Sequence, residues 1–219
     1  MKVDFQRPFA VPEGASEVLL ARHGACDAPA PGGLIGGRSD PPLNARGREE
    51  VAALAGRLAR ERVGALFTTP LRRTAETADH VLERHDVEPV VLPQLGEIFL
   101  GEWEGHGIHD RGRRADPEFL RVMRDQRWDL IPGAEPADAF SERVREGIEI
   151  VADAAGGGAV AVAVTHAAVI AEICRQVTGS RPFAFLLSAN GSITRLVRMP
   201  DRRWALMSFN ETEHLTAPK

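Results

Sequence analysis

Residues 159–164 read Ala-Val-Ala-Val-Ala-Val, and Thr165 and His166 follow directly. A strand with one wet face alternates apolar and polar residues. A strand apolar on both faces belongs in the middle of a sheet covered on both sides. Such a sheet needs helices on each face, and the rest of the chain supplies them. Short apolar runs alternate with segments of helical spacing. This pattern predicts an α/β chain: a three-layer α/β/α sandwich with a mostly parallel central sheet.

The first strand is predicted at residues 18–21, Val-Leu-Leu-Ala, after an irregular leader over 1–16 with Pro8, Pro12 and Gly14. Residues 26–42 are rich in Gly and Pro and read as loop. Asn44 is a candidate N-cap for a helix in which Val51, Leu54, Ala55 and Leu58 keep helical spacing. Strands are expected at 65–68 and 88–92, with a helix between them after Pro70. Residues 101–138 turn polar, with one helix near 118–124, and are read as an insertion over the active site. Helices at 139–154 and 168–177 follow. Segments 192–198 and 204–209 then close the sheet as a β-meander. A single domain over residues 1–219 is the expectation at this length.

Composition excludes several kinds of chemistry. Lysine occurs only at Lys2 and Lys219, so no internal lysine exists for a Walker-type phosphate loop or a Schiff base. An anion held deep in this chain must be held by Arg, His or backbone N–H groups, and the planar fork of Arg matches phosphate. A net charge of -4 does not point to a nucleic-acid partner. Cys26 and Cys174, the two cysteines, are too few for a disulfide scaffold. The first residues lack a signal-peptide layout, and no apolar run approaches the ~20 residues of a membrane span. These features lead to the expectation of a reduced, cytoplasmic protein with no membrane contact.

Arg22-His23-Gly24 directly follows the first strand. Thr165-His166 directly follows the apolar one. Arg73 lies in Pro70-Leu71-Arg72-Arg73-Thr74, after another strand, and Glu97 comes a few residues after the third. In open α/β sheets ligands bind beyond the carboxyl ends of the strands, so these residues are expected on one rim. A phosphate monoester needs a nucleophile plus cations on its oxygens. A neutral imidazole at His23, its pKa lowered by two guanidiniums and its other nitrogen held by a backbone carbonyl, meets the first need. Gly24 is expected to let the backbone pass close to the phosphate. Arg22, Arg73 and His166 can clamp the oxygens, and Glu97 can donate and later accept a proton. Each residue alone has an ordinary structural reading, and the combination carries the inference. His106-Gly107-Ile108-His109-Asp110 looks like a metal cluster, but its His spacing works only on a helix, against which Gly105 and Gly107 argue. It is read as a mobile polar loop, and no metal or cofactor is expected. Cys26 is read as a passive thiol.

Five ordered motifs resemble the histidine phosphatase superfamily, the phosphoglycerate-mutase-like proteins. They are Leu20-Ala21-Arg22-His23-Gly24, the stretch 37–47, Pro70-Leu71-Arg72-Arg73-Thr74, Leu95-Gly96-Glu97 with residues 101–105, and Val164-Thr165-His166. Asn190-Gly191-Ser192-Ile193 matches a weaker signature. The resemblance implies that His23 is phosphorylated, that Arg22, Arg73 and His166 bind the phosphate, and that Glu97 is the proton donor. It favours Arg73 over Arg72 as the pocket arginine. Ala167 stands where a glycine is common, and its backbone N–H is assigned to the substrate. Ala25-Cys26-Asp27 stands where most members have Glu, then Thr or Ser, with an Asn nearby. Asp27 is therefore expected to face away from phosphate. The role of Glu135, in Pro132-Gly133-Ala134-Glu135-Pro136, is left open.

The resulting expectation is a metal-independent phosphatase that hydrolyses a small phosphate monoester through a phosphohistidine on His23. The alternatives are a phosphoglycerate-type mutase, a phosphoprotein phosphatase, and a degenerate protein that binds phosphorylated ligands without turnover. Homodimerisation and substrate identity stay open at this stage.

Overall fold

The structure, a computed structural model, describes residues 10–29 and 31–215. Six strands form one sheet: β1 (Ser16–Arg22), β2 (Val63–Thr68), β3 (Pro89–Val91), β4 (Val160–Thr165), β5 (Ile193–Arg198) and β6 (Trp204–Glu211). Their order is β3-β2-β4-β1-β5-β6. β3, β2, β4 and β1 run parallel, while β5 pairs antiparallel with both β1 and β6. Only β5 is reversed, so the sheet is mostly parallel and its last strands form the expected meander.

Among the described residues six α-helices accompany the sheet: α1 (Ala45–Leu58), α2 (Arg72–Leu82), α3 (Ile108–Arg113), α4 (Pro117–Asp125), α5 (Ala137–Ala154) and α6 (Ala167–Thr178). The alternation in β4 shows how the layers form. Val160, Val162 and Val164 pack with Leu54 and Leu58 of α1 and Ala78 and Val81 of α2. Ala161 and Ala163 pack on the opposite face with Val144, Ile148 and Val151 of α5 and Val169 and Ile173 of α6. Every residue of β4 is buried. Each fully buried Val or Leu contributes roughly 1.5–3 kcal/mol, so both faces of this strand help hold the sandwich together.

Local signals explain the helix starts. The Asn44 side chain accepts from the Gly47 amide at 2.8 Å, as an N-cap should. Asp116 caps α4 by accepting from Glu118 and Phe119, and Pro117 occupies the first turn where its missing N–H costs nothing.

Three expectations need correction. Ser16, placed in the leader, is the first residue of β1. Residues 1–9 of that leader lie outside the described residues. The stretch 101–138 holds α3 as well as α4, and α5 already begins within it at Ala137. Residues 106–110 are expected as loop, yet 108–110 open α3, and Gly107 lies outside that helix at its N-cap. Bridges from Gly33 to Gly107 and from Leu34 to Glu104 tie the 101–138 stretch to the loop after β1.

Candidate active site

Strand register creates the centre of the site. Arg22 of β1 is opposite Thr165 of β4, so the next residues, His23 and His166, emerge side by side. The His23 amide donates to the Thr165 carbonyl at 3.1 Å, and the two rings lie 5.2 Å apart at 58°. The site therefore forms at the carboxyl ends of the central strands.

His23 is buried. Its Nδ1 lies 2.7 Å from the Gly24 carbonyl, the carbonyl contact expected from the sequence. The Asn190 side chain donates through Nδ2 to the His23 carbonyl at 2.9 Å and steadies the turn. The His23 pKa is held well below its ordinary value, first by burial and then by Arg22 and Arg73. The expected cause was the guanidiniums, and burial outweighs them. His166 is equally buried and lowered, by burial first and then by His23 and the arginines. Its Nε2 pairs with Thr69 Oγ1 at 3.0 Å.

Gly24 has a packing part that sequence reasoning did not anticipate. A Cβ there would meet the Gly47 carbonyl at 2.6 Å and Val51 Cγ1 at 2.7 Å. A Cβ on Gly47 would meet the Ala25 carbonyl at 2.1 Å. Paired glycines thus allow α1 to dock against the turn that carries His23.

Arg73 is fully buried at the start of α2, where Nη1 donates to Ser39 O at 2.6 Å and Nη2 to Gly36 O at 3.1 Å. Arg72 instead faces solvent and pairs with Glu76 at 2.5 Å. Arg22 Nη1 donates to the Ser188 carbonyl at 2.5 Å. Burial pulls both site arginines below their ordinary pKa, and Glu97 opposes that shift. Arg22 Nε, Arg73 Nε, His166 Nδ1 and Ser188 Oγ are buried without a protein partner. Buried polar groups are normally satisfied, so this cluster of orphans marks a place suited to an anion.

Glu97 accepts from the Ile98 amide at 2.9 Å and from the Ala168 amide, in the first turn of α6, at 3.5 Å. Burial raises its pKa, against those amides and both arginines. A raised carboxyl pKa suits a proton donor. Arg22, His23, Glu97 and Ala167 line one cavity of about 350 Å³. A neighbouring cavity of about 410 Å³ contains none of these four.

Asp27 is exposed and accepts from Asn44 Nδ2 at 2.8 Å, so it faces away as expected. Burial pushes the Cys26 thiol up to about 11, which keeps it protonated and weakly reactive at neutral pH. Among the described residues no group of three or more His, Cys, Asp or Glu side chains could hold a metal ion.

Sequence reasoning missed the residues that support the site. Arg143 on α5 binds Glu135 through two nitrogens, at 2.6 and 2.8 Å. It also donates to the carbonyls of Gln94 at 2.8 Å and Gly96 at 2.7 Å. The Arg143–Glu135 pair thereby clamps the turn that presents Glu97. Glu104 does the same for Arg73, because its carboxylate takes the amides of Arg38 and Ser39 in the loop whose carbonyls hold that guanidinium. Arg143 belongs to no motif that could have flagged it. Glu104 lies within one, but its partners are remote in sequence.

The family model for the histidine phosphatase superfamily (branch 1) matches residues 18–212. A metal-independent phosphoserine phosphatase from Arabidopsis thaliana is 28% identical over 225 residues, covering 98% of this chain and 92% of that protein. A mycobacterial glucosyl-3-phosphoglycerate phosphatase superposes with a TM-score of 0.74 at 25% identity, covering 90% of this chain and 99% of the other. A phosphoglycerate mutase from Bacillus anthracis str. Sterne reaches a TM-score of 0.80 at 23% identity, over 93% and 96% of the two chains, and shares the fold. No helix among the described residues is long and apolar enough to cross a membrane.

Proposed function

The chain belongs to the histidine phosphatase superfamily, branch 1, and from that membership we infer that it is a phosphomonoesterase that hydrolyses a small phosphate monoester through a phosphohistidine on His23. The observation that carries the assignment is the 2.7 Å contact between His23 Nδ1 and the Gly24 carbonyl. A carbonyl can only accept, so Nδ1 holds the proton and Nε2 keeps its lone pair. The names of phosphatase relatives support the same reaction.

In the first step Nε2 attacks phosphorus and the P–O ester bond breaks. The leaving oxygen takes the proton of the Glu97 carboxyl. Arg22, Arg73 and His166 hold the three remaining oxygens, with the Ala167 amide at the opening of α6. Preplaced donors of this kind are worth about 10²–10³ in rate each. In the second step water attacks phosphorus and the P–N bond breaks. Glu97 takes the water proton, which restores both residues and releases inorganic phosphate. The two guanidiniums supply the positive charge that a metal provides elsewhere. Cys26 and Cys174 are free thiols, which fits a cytoplasmic setting.

The test is release of phosphate from an aryl ester in excess EDTA, with 3-phosphoglycerate and catalytic 2,3-bisphosphoglycerate as a parallel arm. Undiminished phosphate release is the expected result. Activity restored only by a divalent ion would overturn metal independence. Interconversion of phosphoglycerates much faster than phosphate release would make the protein a mutase.

A further inference from the structure

Beyond the phosphate-binding end, the cavity is apolar. Its wall there is made by Leu34, Ile35, Leu100, Trp128, Leu186 and Leu187. Among the described residues that line it, Arg22 is the only arginine or lysine, and Glu97 the only carboxylate. Besides His23, the other polar side chains lining it include those of Ser188, Asn190 and Cys26, which are uncharged, and Asn190 is bonded to the His23 carbonyl. Two guanidiniums close by in sequence are already engaged. Arg127, next to Trp128, binds Asp129 through two nitrogens at 2.9 and 2.5 Å. Arg38 lies over the Phe99 ring at 3.8 Å.

Leu187 is 87% exposed, the most open of the large apolar side chains among the described residues. Leu187 also lines the cavity, so a ligand seated there would cover part of its apolar surface. Trp128 is braced by Phe183, with ring centroids 4.5 Å apart, and offers a fixed surface.

A carboxylate or ammonium placed against this wall would lose part of its water and find only Arg22 and Glu97, both committed to the reacting phosphate, which is costly. An alkyl or aryl group would gain by the same transfer. We propose that the substrate is a phosphate monoester whose alcohol part is apolar and carries no ionised group. This rests on the phosphatase assignment above and narrows it. It sets the chain apart from its phosphoserine phosphatase relative, because phosphoserine brings a carboxylate and an ammonium to that position.

Hydrolysis is measured with the full chain on four primary alkyl esters, so that leaving-group reactivity is matched. These are 2-phenylethyl phosphate, hexyl phosphate, O-phospho-L-serine and 3-phosphoglycerate. The first two should show kcat/KM about tenfold or more above the last two, carried mainly by KM. Leu187→Arg, at an exposed position where folding is not at risk, should move the ratio toward O-phosphoserine, while Leu187→Met should keep it. Equal or faster hydrolysis of O-phosphoserine or 3-phosphoglycerate overturns the proposal and leaves the phosphatase assignment intact. Calorimetric titration with 3-phenylpropylphosphonate and with the phosphonate analogue of phosphoserine separates the two claims. Preferential binding of the apolar phosphonate without any turnover supports the apolar seat and overturns the enzyme assignment. Preferential binding of the charged one overturns the seat.

Discussion

His23 Nδ1 and the carbonyl oxygen of Gly24, the next residue in the chain, are 2.7 Å apart. One short local contact settles the tautomer, because only the ring nitrogen has a proton to give. Burial and two guanidiniums then keep the ring uncharged. A neutral, oriented imidazole is what nucleophilic attack on phosphorus requires.

Arg73 and Arg72 should separate cleanly. Arg73 is buried and bonded to the loop at residues 36–39, whereas Arg72 pairs with Glu76 at the surface. Arg73→Lys should lower kcat by about 10²–10³, since a lysine cannot reproduce the fork. Arg72→Lys should stay within about threefold, the scale of an exposed ion pair. Steady-state kinetics on one ester decides this.

Glu97→Gln keeps the shape and removes the proton. The loss should be large for alkyl esters, whose leaving oxygen needs protonation, and smaller for nitrophenyl phosphate. Because the Glu97 pKa is raised, wild-type turnover of alkyl esters should fall as pH rises through that raised value. In the glutamine variant this alkaline limb should disappear. Equal losses on both esters would show that Glu97 does not act on the leaving group.

Arg143→Met should weaken the same step without touching the reacting atoms. Arg143 holds Glu135 and the carbonyls of Gln94 and Gly96, so its removal loosens the turn that aims Glu97. We expect kcat for alkyl esters to drop more than kcat for nitrophenyl phosphate, with KM little changed. A uniform loss on both, or a loss that tracks melting temperature alone, would reduce the clamp to a stabilising ion pair.

Stability should fall in mild acid. The folded pKa of His23 and of His166 lies well below 6.5. Below pH 6.5 the unfolded chain therefore takes up protons that the folded chain refuses, and stability drops as pH falls through that window. Each histidine contributes a slope approaching about 1.4 kcal/mol per pH unit there. Glu97, with a raised pKa, works in the opposite direction above pH 4.5. The difference between wild type and His23→Asn reports the loss of one buried histidine together with its push on His166. Urea midpoints between pH 7 and 5 should show a shallower pH slope in that variant.

Much of the site was legible because it hangs on strand ends. Each central strand reads from its own residues, and the rule for open α/β sheets brings His23 and His166 to one rim without knowledge of long-range contacts. What the sequence hid depends on tertiary packing. Gly24 is read from sequence as letting the backbone near phosphate, and only the docking of α1 adds that a Cβ there would strike Gly47. Helix α3 is six residues long and follows two glycines. At that length packing outweighs propensity. The Arg143–Glu135 clamp joins side chains eight residues apart to carbonyls near Gly96. No local period encodes such a contact.

The most direct measurement is a rapid-quench reaction with a radiolabelled monoester, stopped in base and mapped to the labelled residue. Label should appear on His23, stable to base and labile to acid, and should be absent from His23→Ala. Label on His166 or Cys26, or turnover by His23→Ala at the wild-type rate, would contradict a phosphohistidine at position 23.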